Sequence, residues 1–460
     1  MSHDHAVVIG GSFAGCTAAR VLSDHFDRVT IVDRDEFPED WAPRKGVPQS
    51  PHVHGILKLG RETLDQLLPG FIKDTEGLGA VLFDQVASGA AFTPYGWCAR
   101  GRSKVLGYGV RRALLEHVVR QRVTALENVD LVQGRAQGLV VNRPGGRVQG
   151  LNLTDSKGVS QIEADLVVDA GGRASPAPRW LEESGHTPPD ESVVNGLVGY
   201  ASRWIRVPDD AWPSPGDMRF VAQLPMLGCT KGAIVYPQDN GLHVVSLFGQ
   251  SRDYPPGDEI AFMAFLEQCA TPMMHHVVSR SEVVSGISTS RSTANRWRHY
   301  EHLAEPATGF VALGDAMASF NPIFGQGVTG AVMGASMLGD ALIEVDGNLD
   351  ILPRIFQPRL AAQLAYPWQT AVGFDLSFPE TVGDRPQLNP SATEARAYLE
   401  VLGQLATSDA SVFEAILLAN QTFDRSGLYD ARLVEKAKAW VHDGRTPSTT
   451  DPLRPPALQG

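Results

Sequence analysis

The chain has 460 residues and carries 52 acidic against 40 basic side chains, a formal net charge of −12. A surface that acidic argues against a nucleic-acid partner and against an anionic membrane, and no stretch approaches the roughly 18 uninterrupted apolar residues of a membrane span. With 43% hydrophobic and 20% charged residues, and four cysteines without paired spacing (Cys16, Cys98, Cys229, Cys269), it reads as a globular protein of two or three domains with neither a disulfide framework nor a zinc site.

The first strand is expected from Ala6 to Ile9, which leaves no room for a signal peptide and points to the cytoplasm. Gly10-Gly11-Ser12-Phe13-Ala14-Gly15 follows, then a helical run, then a second apolar strand, Val29 to Val32, closing on Asp33. Strand, Gly-rich turn, helix, strand and terminal acid are the dinucleotide-binding pattern. Gly10, Ser12, Ala14 and Gly15 then face a pyrophosphate and Asp33 a ribose hydroxyl. Ser12 stands where the pattern has its middle glycine, and its hydroxyl is free in principle to donate to the pyrophosphate. Asp33 favours a ribose without a 2′-phosphate, a preference softened by Arg34.

The proline-rich loop Phe37 to Ser50 carries Arg44 and Lys45, and its position lets Arg44 reach back to the cofactor. His52 and His54 lack a nearby carboxylate or cysteine at ligand spacing and read as structural histidines, with no metal. Gly55 to Leu68 is helical. Leu78 to Arg100 reads as strands of a separate sheet, where Tyr95 and Trp97 alternate and either line an apolar pocket or serve as core aromatics. Val110 to Val123 returns to helix, with Arg111 and Arg112 in a first turn that a ligand-directed role would explain. Short strands follow to Asp155, then Ala164 to Ser175, a strand ending in Asp169, Gly171, Gly172 and Arg173.

From Pro176 to about Arg298, alternating strands such as His243 to Gly249 indicate a mostly antiparallel second domain. Ser290 to Tyr300, rich in arginine, leads back to the first domain and reads as an interdomain ion network. Phe310 to Leu313 is another buried strand, breaking into Gly314-Asp315 and a loop with Phe320, Pro322, Gly325, Gln326 and Gly327 before a long helix. Asp315 at a strand end suits sugar-like hydroxyls, and the glycines suit an electron-rich ring or phosphate. The chain beyond Val345 is helical, with a tail expected to be disordered.

Three segments taken together, GGSFAG with Asp33, DLVVDAGGRAS and GDAMASFNPIFGQG, resemble the single-component FAD-dependent monooxygenases over roughly residues 6 to 345. The resemblance implies an α/β fold with a Rossmann-like FAD-binding domain interrupted by an α+β substrate domain with a mostly antiparallel sheet, plus a C-terminal helical region. The implied division is 1–77, 101–178 and 299–345 for FAD, 78–100 and 179–298 for substrate, 346–442 helical and 443–460 a disordered tail. It further implies Asp315 on the ribityl chain, Pro322 and Gly325 to Gly327 beside the isoalloxazine, and Arg44 and Arg112 as FAD-contacting arginines. RKGVPQSPHVHG, Tyr95-Gly96-Trp97 and SRSTANRWRHY look closest to a bacterial natural-product branch that holds polyketide polyene epoxidases and related FAD-containing [4+2] cyclases. Two departures stand out: Met317-Ala318 follows Ala316 where the family has a histidine, and Asn321 replaces one loop proline.

The expected activity is flavin-centred monooxygenation (epoxidation or hydroxylation) of a large apolar, polyketide-derived small molecule, with no catalytic acid–base residue. NAD(P)H would visit as a transient reductant, because no second dinucleotide fingerprint is present. Tyr95, Trp97 and Phe320 would roof the substrate. The alternative is a non-redox cyclase that forms a decalin ring beside a structural FAD.

Overall fold

The computed structural model describes residues 3–214, 216–385, 390–447, 451, 452 and 454–459, with the backbone alone at 390–393. Its first layer follows from the short apolar runs. Phe310–Ala312, Leu166–Asp169, His3–Ile9, Phe26–Asp33 and Val129–Gln133 lie side by side in that order as a parallel sheet. Val7, Val8, Ile31, Val167, Val168 and Ala312 are buried on both faces, as a parallel sheet under helices requires. Ile9 pairs with Val32 and Asp169, and Asp169 with Ala312. Four turns therefore leave from the same carboxyl edge.

Helix Phe13–Leu22 packs along helix Gly327–Val345, and Gly339 makes this close, since a Cβ there would stand 2.9 Å from Val21 Cγ1. Gly327–Val345 is the one described helix long and apolar enough to cross a membrane, but here Val332, Leu338 and Ala341 bury it in the core. Beyond Val345 the described chain is helical again, with Leu352–Asp375, Pro390–Leu405, Ala410–Thr422 and Ala431–His442.

The second layer is an eight-stranded sheet, antiparallel except where Phe220–Gln223 runs parallel to Gly89–Thr93. Its period of two gives it unlike faces. Ala201, Ile205, Val221, Val235, Val245 and Leu247 lie beneath helices Glu259–Glu267 and Met273–Val278, against Phe262, Phe265 and Val277. Tyr200, Ser202, Ile234, Ser246 and Phe248 point the other way, toward the loops of the parallel sheet. Asn295–Arg298 of the Arg-rich crossing pairs with Glu191–Asn195 and with Ala318–Ser319. The ion pair of Arg298, with Glu191 at 2.9 Å, lies inside segment 179–298. Its links beyond that segment are hydrogen bonds to the Ala316 and Arg173 carbonyls rather than the expected ion network.

The tail departs from the expectation of disorder where it is described. Leu458–Gln459 pairs in parallel with Arg100–Gly101, and the Pro452 carbonyl accepts a 2.6 Å hydrogen bond from Thr271. The reason is an unfilled strand edge and buried donors that need acceptors. Residues 448–450, 453 and 460 of that tail lie outside the described residues.

A candidate cofactor site at the strand edge

The first turn is built on backbone geometry that only glycine supplies. Gly10 has φ +98°, and a Cβ there would meet the Ala170 carbonyl at 2.5 Å. The helix that follows begins at Phe13 with no side-chain cap from Ser12, so its first N–H groups point outward from the turn. Ser12 Oγ has turned away from them. It donates to Glu116 Oε1 at 2.6 Å and accepts from Arg112 Nη2 at 3.1 Å, so its proton is committed and the expected donation to a pyrophosphate is not made from this rotamer.

Asp33 accepts the Gly11 N–H at 2.6 Å and the Asp35 N–H at 2.8 Å, which ties the end of the second strand to the turn. Arg44 reaches back as expected. Its buried guanidinium sits 3.6 Å from Asp33, 3.3 Å from Asp35 and 3.2 Å from Glu116, over the Phe37 ring. Arg112 lies on the same cluster, 2.9 Å from Glu116 and 3.3 Å from His54 Nε2. Glu116 was not singled out in the sequence, although it stands one helical turn after Arg112. Burial pushes its carboxyl upward, but Arg112, Arg44 and the Ser12 hydroxyl outweigh that and hold it below the usual carboxylate range. Arg111 points elsewhere: its guanidinium is paired with Asp239 at 2.6 and 2.8 Å, away from the Glu116 cluster. Arg34 is exposed, outside this cluster.

The Leu166–Asp169 strand closes its own turn, with Asp169 accepting from Gly171 N–H at 2.9 Å and Ser175 Oγ at 2.6 Å. Arg173 then spans to the Ala294 and Phe320 carbonyls. Burial presses its guanidinium pKa down, while nearby Asp315 pulls it back up. On the neighbouring strand Gly314, at φ +62°, lets the chain pass Ala14, whose Cβ would lie 2.8 Å from one on Gly314. That contact joins the first and last Gly turns. Asp315 is half-buried beside it, with the start of helix Gly327–Val345 opposite, a helix that likewise has no side-chain cap. Gly325 has φ +66° and open space where its Cβ would be.

The loop between them is held from outside. Asn321 accepts the Tyr200 hydroxyl at 2.7 Å, gives its amide to Asp375 at 2.9 Å and donates its backbone N–H to Asn295 Oδ1 at 2.7 Å. Gln326 donates to Asn420 of helix Ala410–Thr422 at 2.8 Å, leaving its buried Oε1 unpartnered among the described residues. Pro322 opens the intervening turn.

The proposed substrate roof is corrected. Trp97 is wholly buried on the helix-covered side of the second sheet, edge-on to Phe92 at 5.0 Å, with its indole N–H given to the Asp451 carbonyl. Tyr95 lies in the turn before it and packs against Gly403 of the C-terminal helices, where a Cβ would come within 2.9 Å of its ring. Phe320 is buried in the parallel-sheet core. Alternation places residues on a common side of a strand but does not say which side faces the cofactor. The opposite side of this sheet, toward the loops of the parallel sheet, is carried by Tyr200, Phe248 and Ile234, with Val53 and Leu224 against them.

These residues fit a flavin dinucleotide: two uncapped helix starts, the acids Asp33 and Asp315 at the carboxyl ends of two strands of one sheet, Arg44 and Arg112 beside the first turn, and an open Gly325 cradle next to the second. His52 and His54 do not converge on a metal. His52 Nδ1 bonds Ser202 Oγ at 2.9 Å and His54 Nδ1 the His52 carbonyl at 2.9 Å. Elsewhere His299, Glu301 and His302 bring ligand atoms within 4.8 Å, yet His299 Nε2 already meets Ser192 Oγ at 2.7 Å.

No protein-family model matches the chain. "Protein Rv3254" of Mycobacterium tuberculosis is 34% identical over 389 residues, covering 82% of this chain and 81% of that one. Among solved structures, p-nitrophenol 4-monooxygenase PnpA from Pseudomonas putida DLL-E4 matches with a TM-score of 0.64 at 16% identity, over 92% of this chain and 99% of that one. The Diels-Alderase PyrE3 of the pyrroindomycin biosynthetic pathway matches with a TM-score of 0.60 at 16% identity, over 92% of this chain and 81% of that one. With its strand-edge turns in this arrangement, the chain belongs to the family of Protein Rv3254 and has the fold of the FAD-dependent monooxygenases.

Proposed function

We propose that the chain is an FAD-dependent monooxygenase that adds one oxygen atom, by epoxidation or hydroxylation, to a large apolar polyketide-derived substrate. The observation that carries this is the juxtaposition of the Asp315 and Gly325–Gly327 loop with the Tyr200, Phe248 and Ile234 sheet face, through the Tyr200–Asn321 hydrogen bond. In this reading segments 1–77, 101–178 and 299–345 hold the cofactor, and 78–100 with 179–298 hold substrate. Asp33 binds the adenosine ribose, the Gly10–Gly15 turn and the Phe13 helix start take the pyrophosphate, Asp315 the ribityl hydroxyls, and the Gly325–Gly327 backbone the ring. When bound, FAD supplies oxygen activation with two electrons from NAD(P)H, one oxygen atom passing to substrate and the other leaving as water. The chain's own part is to orient and to exclude water with the apolar sheet face.

A second reading is favoured by the likeness to PyrE3 and by Asn321, which anchors the loop where the resembling family has a proline. There the chain folds a polyene over a structural FAD for [4+2] closure, by conformational restriction alone. The test is a panel of linear polyenes with holoenzyme and with enzyme reconstituted with 5-deaza-FAD. The monooxygenase gives a product heavier by one oxygen atom, only with NAD(P)H, O2 and native FAD. A product of unchanged mass, formed anaerobically with the deazaflavin, contradicts it and establishes the cyclase.

A further inference from the structure

The sheet face that looks toward the cofactor loops is apolar except for one polar group at its centre. Ser202 and Ser246 are directly paired across neighbouring strands, and their hydroxyl oxygens lie 2.6 Å apart. Both are buried, and His52 covers them from the loop that carries Arg44. Around them stand Tyr200, whose ring centroid is 6.3 Å from the His52 ring, Phe248, Val53 and Ile234.

The direction of the hydrogen bonds follows from the one end that has no choice. The Val53 backbone N–H donates to Ser246 Oγ at 3.2 Å. The Ser246 hydroxyl proton then goes to Ser202 Oγ, and the Ser202 proton to His52 Nδ1 at 2.9 Å. This order gives every buried hydroxyl proton an acceptor, whereas the reverse leaves the Ser246 proton without one. His52 Nδ1 is thus the acceptor, and the ring's proton sits on Nε2. Burial also keeps the ring neutral, pressing its pKa down to about 4. His52 is only 8% exposed, and its Nε2 is buried with no partner among the described residues. A buried N–H without an acceptor is costly, because its hydration is lost and nothing replaces it. A fixed chain of three side chains that ends on such a donor is arranged for an acceptor that arrives with a ligand.

We propose that His52 is a specificity-determining residue whose Nε2–H donates to a carbonyl oxygen of the otherwise apolar substrate, which fixes the register of its hydrocarbon chain on the Tyr200–Phe248 face. This rests on the reading of that face as the substrate site. The chemistry it selects is a long apolar molecule with one neutral carbonyl, rather than a plain hydrocarbon or a cation. An ammonium cannot accept the bond, and a hydrocarbon leaves the donor unpaired.

The experiment uses FAD-loaded full-length protein and two probes of equal chain length, 2-tridecanone and tridecane. Binding is followed by flavin fluorescence and by NMR of isotope-labelled histidine. The ketone is expected to bind about tenfold more tightly than the alkane, the worth of one hydrogen bond. It alone should move the His52 Nε2–H resonance downfield. His52→Gln, which keeps an N–H donor, should retain the preference, and His52→Phe should abolish it while leaving tridecane binding and flavin content unchanged. Equal affinity for both probes in the native protein, or an Nε2 resonance that ignores the ketone, overturns the assignment. Flavin loss in His52→Phe overturns it too, since the donor would then serve the cofactor. If neither probe binds, the apolar-site reading itself falls, an outcome distinct from equal binding.

Discussion

Glu116 shows how a single side chain can tie a Gly-rich turn to the arginines beside it. It accepts from Ser12, Arg112 and Arg44 inside the helix Arg112–Thr124. Arg44 and Arg112 thus share one carboxylate. Arg44 has Asp33 and Asp35 besides, whereas Glu116 is the one acid paired with Arg112 among the described residues. In the proposed placement, a pyrophosphate against the same turn gives Arg112 a second anion. Glu116→Ala should therefore destabilise the cofactor-free protein by about 3–5 kcal/mol, the cost of breaking a buried pair from one side. The loss should shrink when FAD is added. Thermal melts with and without FAD check this, and an equal loss in both states contradicts the placement of the pyrophosphate. His52 gives a pH dependence at the same scale. Its ring is neutral when folded, with a pKa near 4 against an ordinary 6.5, so the unfolded chain takes up the proton first. The stability it contributes is complete above about pH 6.5 and is lost as pH falls toward about 4. Urea unfolding across that window should show a shallower acid slope for His52→Gln than for the native protein.

At the scale of elements, strand Gly96–Trp97 decides what the second sheet buries. Trp97 is wholly buried in the cluster that holds Ala90, Ala201 and Phe262, edge-on to Phe92, so Trp97→Ala should cost about 3–5 kcal/mol through the cavity it leaves. Flavin content should be unchanged, and the two are separated by denaturant titration and absorbance. Loss of flavin without loss of stability would return Trp97 to the cofactor face. The parallel strands were legible as short apolar runs ending in glycine or acid, because strands buried on both faces leave that signature. The side that Trp97 faces was not legible, since period two fixes a common side and no more. The tail was misread because its proline-rich composition carries no sign of the donors waiting at Trp97, Arg100 and Thr271. Glu116 could have been found from its i, i+4 spacing to Arg112, which places both on one side of a helix. Asp375 could not, because its partners Asn295 and Asn321 are 80 and 54 residues away in the chain.

Across the whole molecule, the loop proposed to carry the flavin ring is held by three separate regions. Tyr200 of the second sheet, Asp375 at the end of helix Leu352–Asp375 and Asn420 of a C-terminal helix each bond to residues between Asn321 and Gln326. Asp375 is fully buried and accepts from Asn295 at 2.7 Å, Asn321 at 2.9 Å and Gln250 at 3.4 Å. Asp375→Ala strands those donors, each worth about 1–3 kcal/mol when left unsatisfied. It should lower the unfolding free energy and weaken flavin retention together, which unfolding curves and dialysis against buffer will show. Retention unchanged in a destabilised protein would mean that the loop holds its shape unaided.

The central claim is that the turns at the edge of the parallel sheet hold FAD, with Asp315 on the ribityl chain. The most direct measurement is the flavin absorbance of purified Asp315→Ala protein beside the native chain, with circular dichroism to confirm the fold. The account expects one FAD per native chain and a folded, nearly colourless variant, because the carboxylate's charge-assisted hydrogen bonds are lost. A variant that keeps the full yellow absorbance contradicts it.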